Sequence, residues 1–273
     1  MKEIVIDGIR IPALGYGTWE LRGEECLRGV RSALDIGYRH IDTAQAYGNE
    51  AEVGRAIAES GVPREDIFLT TKIWPDRLEP AELRRAAEES LRRLRTDYVD
   101  LLLIHWPNPD VPLAATLGEM DRLRGEGHAL SLGVSNFTIA LLDEAAETGV
   151  RIVNNQVEYH PFLSQRRLLD RLRREDMFLT AYAPLARGEV PRNAVLARIG
   201  EQYGKSASQV GLRWLVQQDR VAAIPKAGNE KHARANFEIF DFELTPEEMA
   251  EIHALRSNMR LVSPDRDWDI DEA

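Results

Sequence analysis

Eight short apolar, β-favouring runs recur along the chain, and the segments between them carry helical spacing. The runs cover residues 13–16, 38–41, 67–71, 99–104, 130–134, 152–157, 178–182 and 221–224. Their starts lie 22 to 43 residues apart, bracketing the ~30 residues of a strand–helix–strand unit. Few polar residues interrupt them, as expected of strands buried on both faces. Between them, Val53, Ala56 and Ile57, then Leu83, Ala87, Leu91 and Leu94, then Leu168, Leu169 and Leu172 after a capping Ser164, each keep one apolar stripe. Eight such alternations predict an α/β protein built as a (β/α)8 TIM barrel. A doubly wound open sheet is the rival architecture.

Two additions are expected. Residues 3–6 and 9–11 flank Asp7-Gly8, a dipeptide favoured in type I′ turns, which predicts an N-terminal β-hairpin. Extra C-terminal helices are signalled over 193–203, from Ser206 onward, and at Thr245-Pro246-Glu247-Glu248, a capping box with proline at the first helical position. The tail from 258 to 273 has no helical period and ends acidic. No linker or low-complexity stretch interrupts the pattern, so residues 1–273 are expected to form a single domain.

Composition narrows the function. The chain has 273 residues and a formal charge of −10, which argues against a nucleic-acid binder, since that needs a basic face to displace counterions. No run approaches the ~20 apolar residues of a membrane span. The first six residues lack the layout of a signal peptide, so a cytoplasmic location is expected. Cys26 is the only cysteine, which excludes an internal disulfide or a thiolate metal cluster. The six histidines show no paired ligand spacing, so no metal is expected. Only five of the 35 basic residues are lysines. A lysine within an apolar run is therefore notable, because burial and neighbours tune its charge whereas arginine is always protonated.

In a barrel, chemistry gathers where strands end and the following loops begin. Those positions hold Asp42, Lys72, His105, Ser135 with Asn136, Gln156, Tyr182 and Lys226. Seven polar ends converging on one rim are hard to assign to packing alone. Asp42 and Lys72, on neighbouring strands, suit a buried ion pair, which taken alone is as readily structural as functional. With Tyr47, five residues past Asp42, and His105 they form an acid–base set. The Lys72 cation would favour ionisation of a phenol whose ordinary pKa is near 10.

Several stretches resemble the aldo-keto reductases: 37–47 (GYRHIDTAQAY), 69–74 (LTTKIW), 97–107 (DYVDLLLIHWP), 133–137 (GVSNF), 155–158 (NQVE), 181–188 (AYAPLARG) and 224–226 (IPK). The resemblance runs from about Ile4 to beyond Leu261. Compact loops, the stretch 59–64 (ESGVPR) and the tail 260–264 (RLVSP) are most similar to the short bacterial members, those like 2,5-diketo-D-gluconate reductase.

That resemblance implies NAD(P)H-dependent reduction of small aldehydes or ketones. Tyr47 is implied as general acid, Lys72 and Asp42 as its tuning pair, and His105 as the group positioning substrate. Ser135, Asn136 and Gln156 would bind the nicotinamide carboxamide, with Tyr182 stacked on the ring. Gly17, Thr18 and Asp42, together with Leu185, Arg187 and Gly188, would border the cofactor. Lys226, His232 and Asn236 would hold its adenosine 2′-phosphate end. The chain departs from the NADPH-selective pattern there: Ala227 follows the lysine where serine is usual, and His232 stands where arginine is usual. Lys231 and Arg234 lie nearby. The expectation is NADPH use with appreciable NADH activity.

Trp19, Trp74 and Trp106 follow strand ends and predict an aromatic substrate pocket beside Tyr47 and His105, with the tail bearing Trp268 as its cover. Candidate substrates are diketo-gluconates, methylglyoxal, short β-keto esters and aromatic aldehydes. No G-x-G-x-x-G run follows a strand, because 15–20 (GYGTWE) lacks the last glycine. The family favours a monomer, with no nucleic-acid or membrane partner. Two rivals remain: a regulatory subunit that senses NADPH, whose signature of a broken tetrad is missing, and a cofactor-free isomerase, which leaves Tyr182, Gln156 and Lys226 without roles.

Overall fold

A computed structural model describes residues 2–263. The chain opens with β1 (Glu3–Ile6) and β2 (Ile9–Pro12), paired antiparallel. Asp7 and Gly8 between them have φ of 51° and 80°, the double positive φ that a two-residue hairpin needs. There follow β3 (Tyr16–Gly17), α1 (Gly23–Ile36), β4 (His40–Asp42), α2 (Glu50–Glu59), β5 (Phe68–Ile73) and α3 (Pro80–Leu94). Next come β6 (Val99–Ile104), α4 (Leu113–Gly125), β7 (Ala129–Ser135), α5 (Ile139–Glu147), β8 (Asn154–Glu158), α6 (Arg166–Arg174) and β9 (Phe178–Tyr182). The described chain finishes with α7 (Ala194–Tyr203), α8 (Ala207–Gln217), β10 (Val221–Ala223), α9 (Glu230–Phe237) and α10 (Pro246–His253).

Strands β3 to β10 form one parallel sheet whose spatial order follows the sequence without reversal. A doubly wound sheet reverses its order at a switch point, so that rival is excluded. The two edges also meet: Gly15 N donates to Ala223 O at 2.8 Å, Ala223 N to Ala13 O at 2.8 Å, and Gly17 N to Pro225 O at 3.1 Å. Gly17 is required at this seam, because a Cβ there would lie 2.6 Å from the Ile224 carbonyl oxygen. The result is a TIM-barrel-like α/β fold.

Three strands start two or more residues later than the apolar runs suggest, among them β8, which begins at Asn154 rather than Ile152. The Tyr38 amide is held by Ala33 O at the end of α1, where Gly37 takes a φ of 122°, so pairing begins only at His40. Residues 13–15 touch the last strand through the seam bonds alone, and regular pairing waits for Tyr16. Helix α6 is capped at Gln165 rather than Ser164, whose Oγ accepts from Arg166 N at 3.4 Å.

The hairpin lies across the strand starts. Ile4, Ile6 and Ile11 pack with Phe68, Leu101, Leu103, Val153, Phe178 and Ala222. The Lys2 ammonium caps the end of α8, donating to the carbonyls of Val216, Gln217 and Gln218. Around the sheet, the apolar stripes of the helices form a second and larger core. Helix α8 opens with a Ser206–Gln209 capping box and α10 with Thr245–Glu248. No described helix is long and apolar enough to cross a membrane.

Candidate active site

The sequential sheet brings all seven polar strand ends to one rim. Lys72, on β5, is wholly buried. Its Nζ donates to Asp42 Oδ1 at 2.6 Å, to the Thr43 carbonyl at 2.9 Å and to the Tyr47 hydroxyl at 3.2 Å. An ammonium has three protons and no acceptor, so these partners use it completely. The Tyr47 oxygen must accept from Lys72, which leaves the phenolic O–H free to donate elsewhere. Asp42 is fixed from its other side by Gln156, whose Nε2 donates to Oδ2 at 2.8 Å.

Burial works against the Lys72 charge, but Asp42 and Tyr47 outweigh it and hold the ammonium above its ordinary pKa. Burial raises the Tyr47 pKa, the Lys72 charge opposes it, and the net shift is upward. Lys72 thus favours ionisation as expected, but burial outweighs it, and in the resting site the phenol keeps its proton.

His105, just past β6, packs edge-on against Tyr47 (ring centroids 5.6 Å apart) and Trp74 (5.0 Å). Burial, aided by the Lys72 charge, pushes its pKa down to about 3. The imidazole is therefore neutral. Its Nδ1 is buried and has no hydrogen-bond partner among the described residues. A bare acceptor is less costly to orphan there than an N–H, so the proton belongs on Nε2.

Ser135, Asn136, Gln156 and Tyr182 form a connected set on β7 to β9. Ser135 Oγ donates to Gln156 O at 2.8 Å, and Asn136 Nδ2 to His105 O and Ser135 Oγ at 3.1 and 3.0 Å. The Tyr182 hydroxyl donates to Asn136 Oδ1 at 2.8 Å, and Asn136 holds a φ of 63°. Thr18 is tied in by its Oγ1, which donates to the Asp42 carbonyl at 3.0 Å. The loop after β9 carries Leu185, Arg187 and Gly188. Ala183, Ala186 and Arg187 there all have φ near 47°, a conformation that strains non-glycine residues and recurs at ligand sites.

The far end of the rim is different. Lys226 is exposed, its Nζ 3.9 Å from the Glu20 carboxylate. His232 is also exposed, near the start of α9, where Asn229 Oδ1 accepts its amide at 2.9 Å. Asn236 is buried further along that helix. Lys231 is exposed, and Arg234 is paired with Glu230 at 3.0 Å.

Of the three tryptophans, Trp74 stands against His105. Trp106 is half-buried beside it in sequence. Trp19 instead lies under the Arg187 guanidinium, 5.3 Å from its ring centroid. Trp268 lies outside the described residues.

The residues present fit a nicotinamide cofactor. Gln156 Oε1 has no donor among the described residues, Ser135 and Asn136 supply further amide-compatible groups, Tyr182 offers a flat face, and Lys226 offers an exposed cation. No cluster of metal-ligating side chains occurs among the described residues.

Two contributors escape the sequence reading. The Thr43 backbone carbonyl completes the Lys72 shell, and a backbone atom has no sequence signature. The buried Asn49 donates to the carbonyls of Thr18 and Leu21 and accepts from Thr43 Oγ1 at 2.7 Å, joining the loops after β3 and β4. Its place before an acidic helix start was the available signal.

Comparison with known proteins agrees with this geometry. The aldo/keto reductase family model matches residues 13–257, and the chain belongs to that family. It is 40% identical to methylglyoxal reductase DkgB of Escherichia coli O157:H7, over 95% of this chain and 99% of that protein. It is 43% identical to an aldo-keto reductase of Mycolicibacterium smegmatis, over 93% of each chain. Among solved structures, one labelled a 2,5-diketo-D-gluconic acid reductase B superposes with a TM-score of 0.95 at 49% identity, over 98% of both chains. The aldose reductase of Schistosoma japonicum superposes at 0.91 with 35% identity, over 95% of this chain and 94% of that one. The protein is thus an oxidoreductase acting on carbonyl groups.

Proposed function

We propose that the protein reduces small aldehydes and ketones to alcohols with NADPH, and also accepts NADH, through proton donation by Tyr47. The observation that carries this reading is the Lys72 shell, which turns the one free phenolic proton away from the lysine. Burial keeps that proton on the phenol until a carbonyl oxygen arrives. Lys72, 3.2 Å away, then stabilises the phenolate left behind, while the His105 Nε2–H orients the carbonyl. Positioned general acids contribute ~10²–10⁴-fold. A bound nicotinamide cofactor supplies the hydride.

Ser135, Asn136 and Gln156 would hold its carboxamide and Tyr182 its ring. Gly17, Thr18, Leu185, Arg187 and Gly188 would border it, and Lys226, His232 and Asn236 would hold its phosphate end. The family match from 13 to 257 supports residues 1–273 acting as one domain, and the family resemblance supports a monomer. Similarity to methylglyoxal and diketogluconate reductases and the aromatic residues beside His105 favour small dicarbonyls as substrates.

The test is loss of NADPH absorbance with methylglyoxal and with 2,5-diketo-D-gluconate, for wild type and Tyr47→Phe. Turnover that drops at least ~10²-fold in the variant is the expected result. Equal rates in the two proteins would overturn the role of the phenol.

A further inference from the structure

Two residues past Gln156, β8 ends in Glu158, whose side chain is wholly buried and has no part in the proton-donating set. Its Oε1 accepts the Leu261 amide at 2.8 Å and the His160 Nε2–H at 3.0 Å, and its Oε2 accepts the Val262 amide at 2.9 Å. His160, equally buried, accepts the Phe162 amide on Nδ1 at 3.3 Å, so its one ring proton is committed to the carboxylate. Phe162 O in turn accepts the amides of Ser257 and Met259 at 3.0 and 3.1 Å.

Four backbone donors of segment 257–262 therefore end on the last residue of β8 and on the loop that follows it. That segment has no helix or strand of its own and depends on outside partners for these bonds. A buried carboxylate is a poor device for stability alone, since an apolar contact does as well. What it provides is a defined position. The position is the rim: Glu158 is in register with Tyr182, and Tyr159 N donates to Tyr182 O at 3.3 Å.

We propose that Glu158 is a positioning residue whose carboxylate latches segment 257–262 to the rim beside Tyr182, fixing one wall of the substrate opening. This rests on the carbonyl-reductase reading above. A latch of this kind sets how well a substrate is held without touching the proton donor. Its loss raises KM and leaves kcat and cofactor affinity nearly unchanged.

Glu158→Gln breaks the latch from the carboxylate side, placing an amide N–H against a backbone donor. Val262→Pro breaks it from the other side by removing a donor. In the full-length protein, amide exchange at Leu261 is expected to speed up at least ~10-fold in both variants. KM for 2,5-diketo-D-gluconate is expected to rise about 10-fold, with kcat and NADPH affinity, read by fluorescence, within about 2-fold. The double variant should be no worse than either single one.

Unchanged exchange would overturn the latch, and so would a fall in kcat that matches the rise in KM. Additive effects in the double variant would also overturn it. Should Glu158→Gln fail to fold, Val262→Pro decides alone by the same readings. A wild type without turnover would refute the reductase reading, while the exchange rates would still report on the latch.

Discussion

The two ends of the rim are built on opposite plans. Around Lys72, each ammonium proton has its acceptor, the side chain is fully buried, and Asp42 is held from two sides. Around Lys226, the side chain is 38% exposed, its nearest carboxylate is 3.9 Å off and itself 57% exposed, and the neighbouring His232 is turned to solvent. The first arrangement is set before any ligand arrives, so it suits chemistry that tolerates little error in position. The second leaves its charges to solvent and rearrangement, and exposed pairs contribute little. On the function proposed above, chemistry is thus specified more tightly than the choice between NADPH and NADH.

Breaking the buried end should have the largest effect. Lys72→Met leaves Asp42 buried without its cation, a loss of about 3–5 kcal/mol in stability. Urea unfolding should show it, and kcat/KM should fall by ~10³-fold or more even where the variant stays folded. A variant within tenfold of wild type would mean that the ion pair is only structural.

The next effect concerns pH. His105 titrates near 6.5 when unfolded but at about 3 in the native site, and burial lowers the fully buried His40 as well. Between those values the unfolded chain binds more protons, so stability rises with pH across the window and is lost as pH falls from about 6.5 towards 3. Each group contributes a slope of up to ~1.4 kcal/mol per unit. Chemical denaturation at pH 5 and pH 7 should show this gap, and His105→Gln should narrow it. Over the same range kcat/KM should show no inflection from His105; one near 6.5 that disappears in His105→Gln would count against a neutral imidazole.

The exposed end should respond mildly. The ratio of kcat/KM for NADPH over NADH should stay below about a thousandfold, some 4 kcal/mol. Lys226→Met should lower the NADPH value about tenfold and the NADH value less than about twofold, as expected for one lost charge–phosphate contact. Glu20→Gln, which removes the competing carboxylate, should improve NADPH binding by no more than about twofold. A larger gain would mean that Glu20 controls cofactor choice.

The legibility of the sequence follows the same division. Asp42, Lys72, His105, Gln156 and Tyr182 could be read because each is a polar residue ending an apolar run, and a parallel sheet taken in order must bring such ends together. The balance of forces on Tyr47 could not be read, since it depends on how deeply the phenol sits. The role of Gln156 in holding Asp42 joins residues 114 positions apart, and no local pattern encodes that distance. The Glu158 latch spans 103 residues and its far side consists of main-chain amides. Pairing begins at His40 and not at Tyr38 because a helix terminus claims the Tyr38 amide, a competition invisible to apolar periodicity.

The hairpin of β1 and β2 has a consequence for traffic. Three isoleucines seat it over the strand starts, and Lys2 rivets it to the end of α8. A cylinder stoppered in this way becomes a cup. On the function proposed above, reactant, product and the proton that resets Tyr47 share one brim, so departure and recharging compete for one passage, and the underside is left to hold the barrel closed.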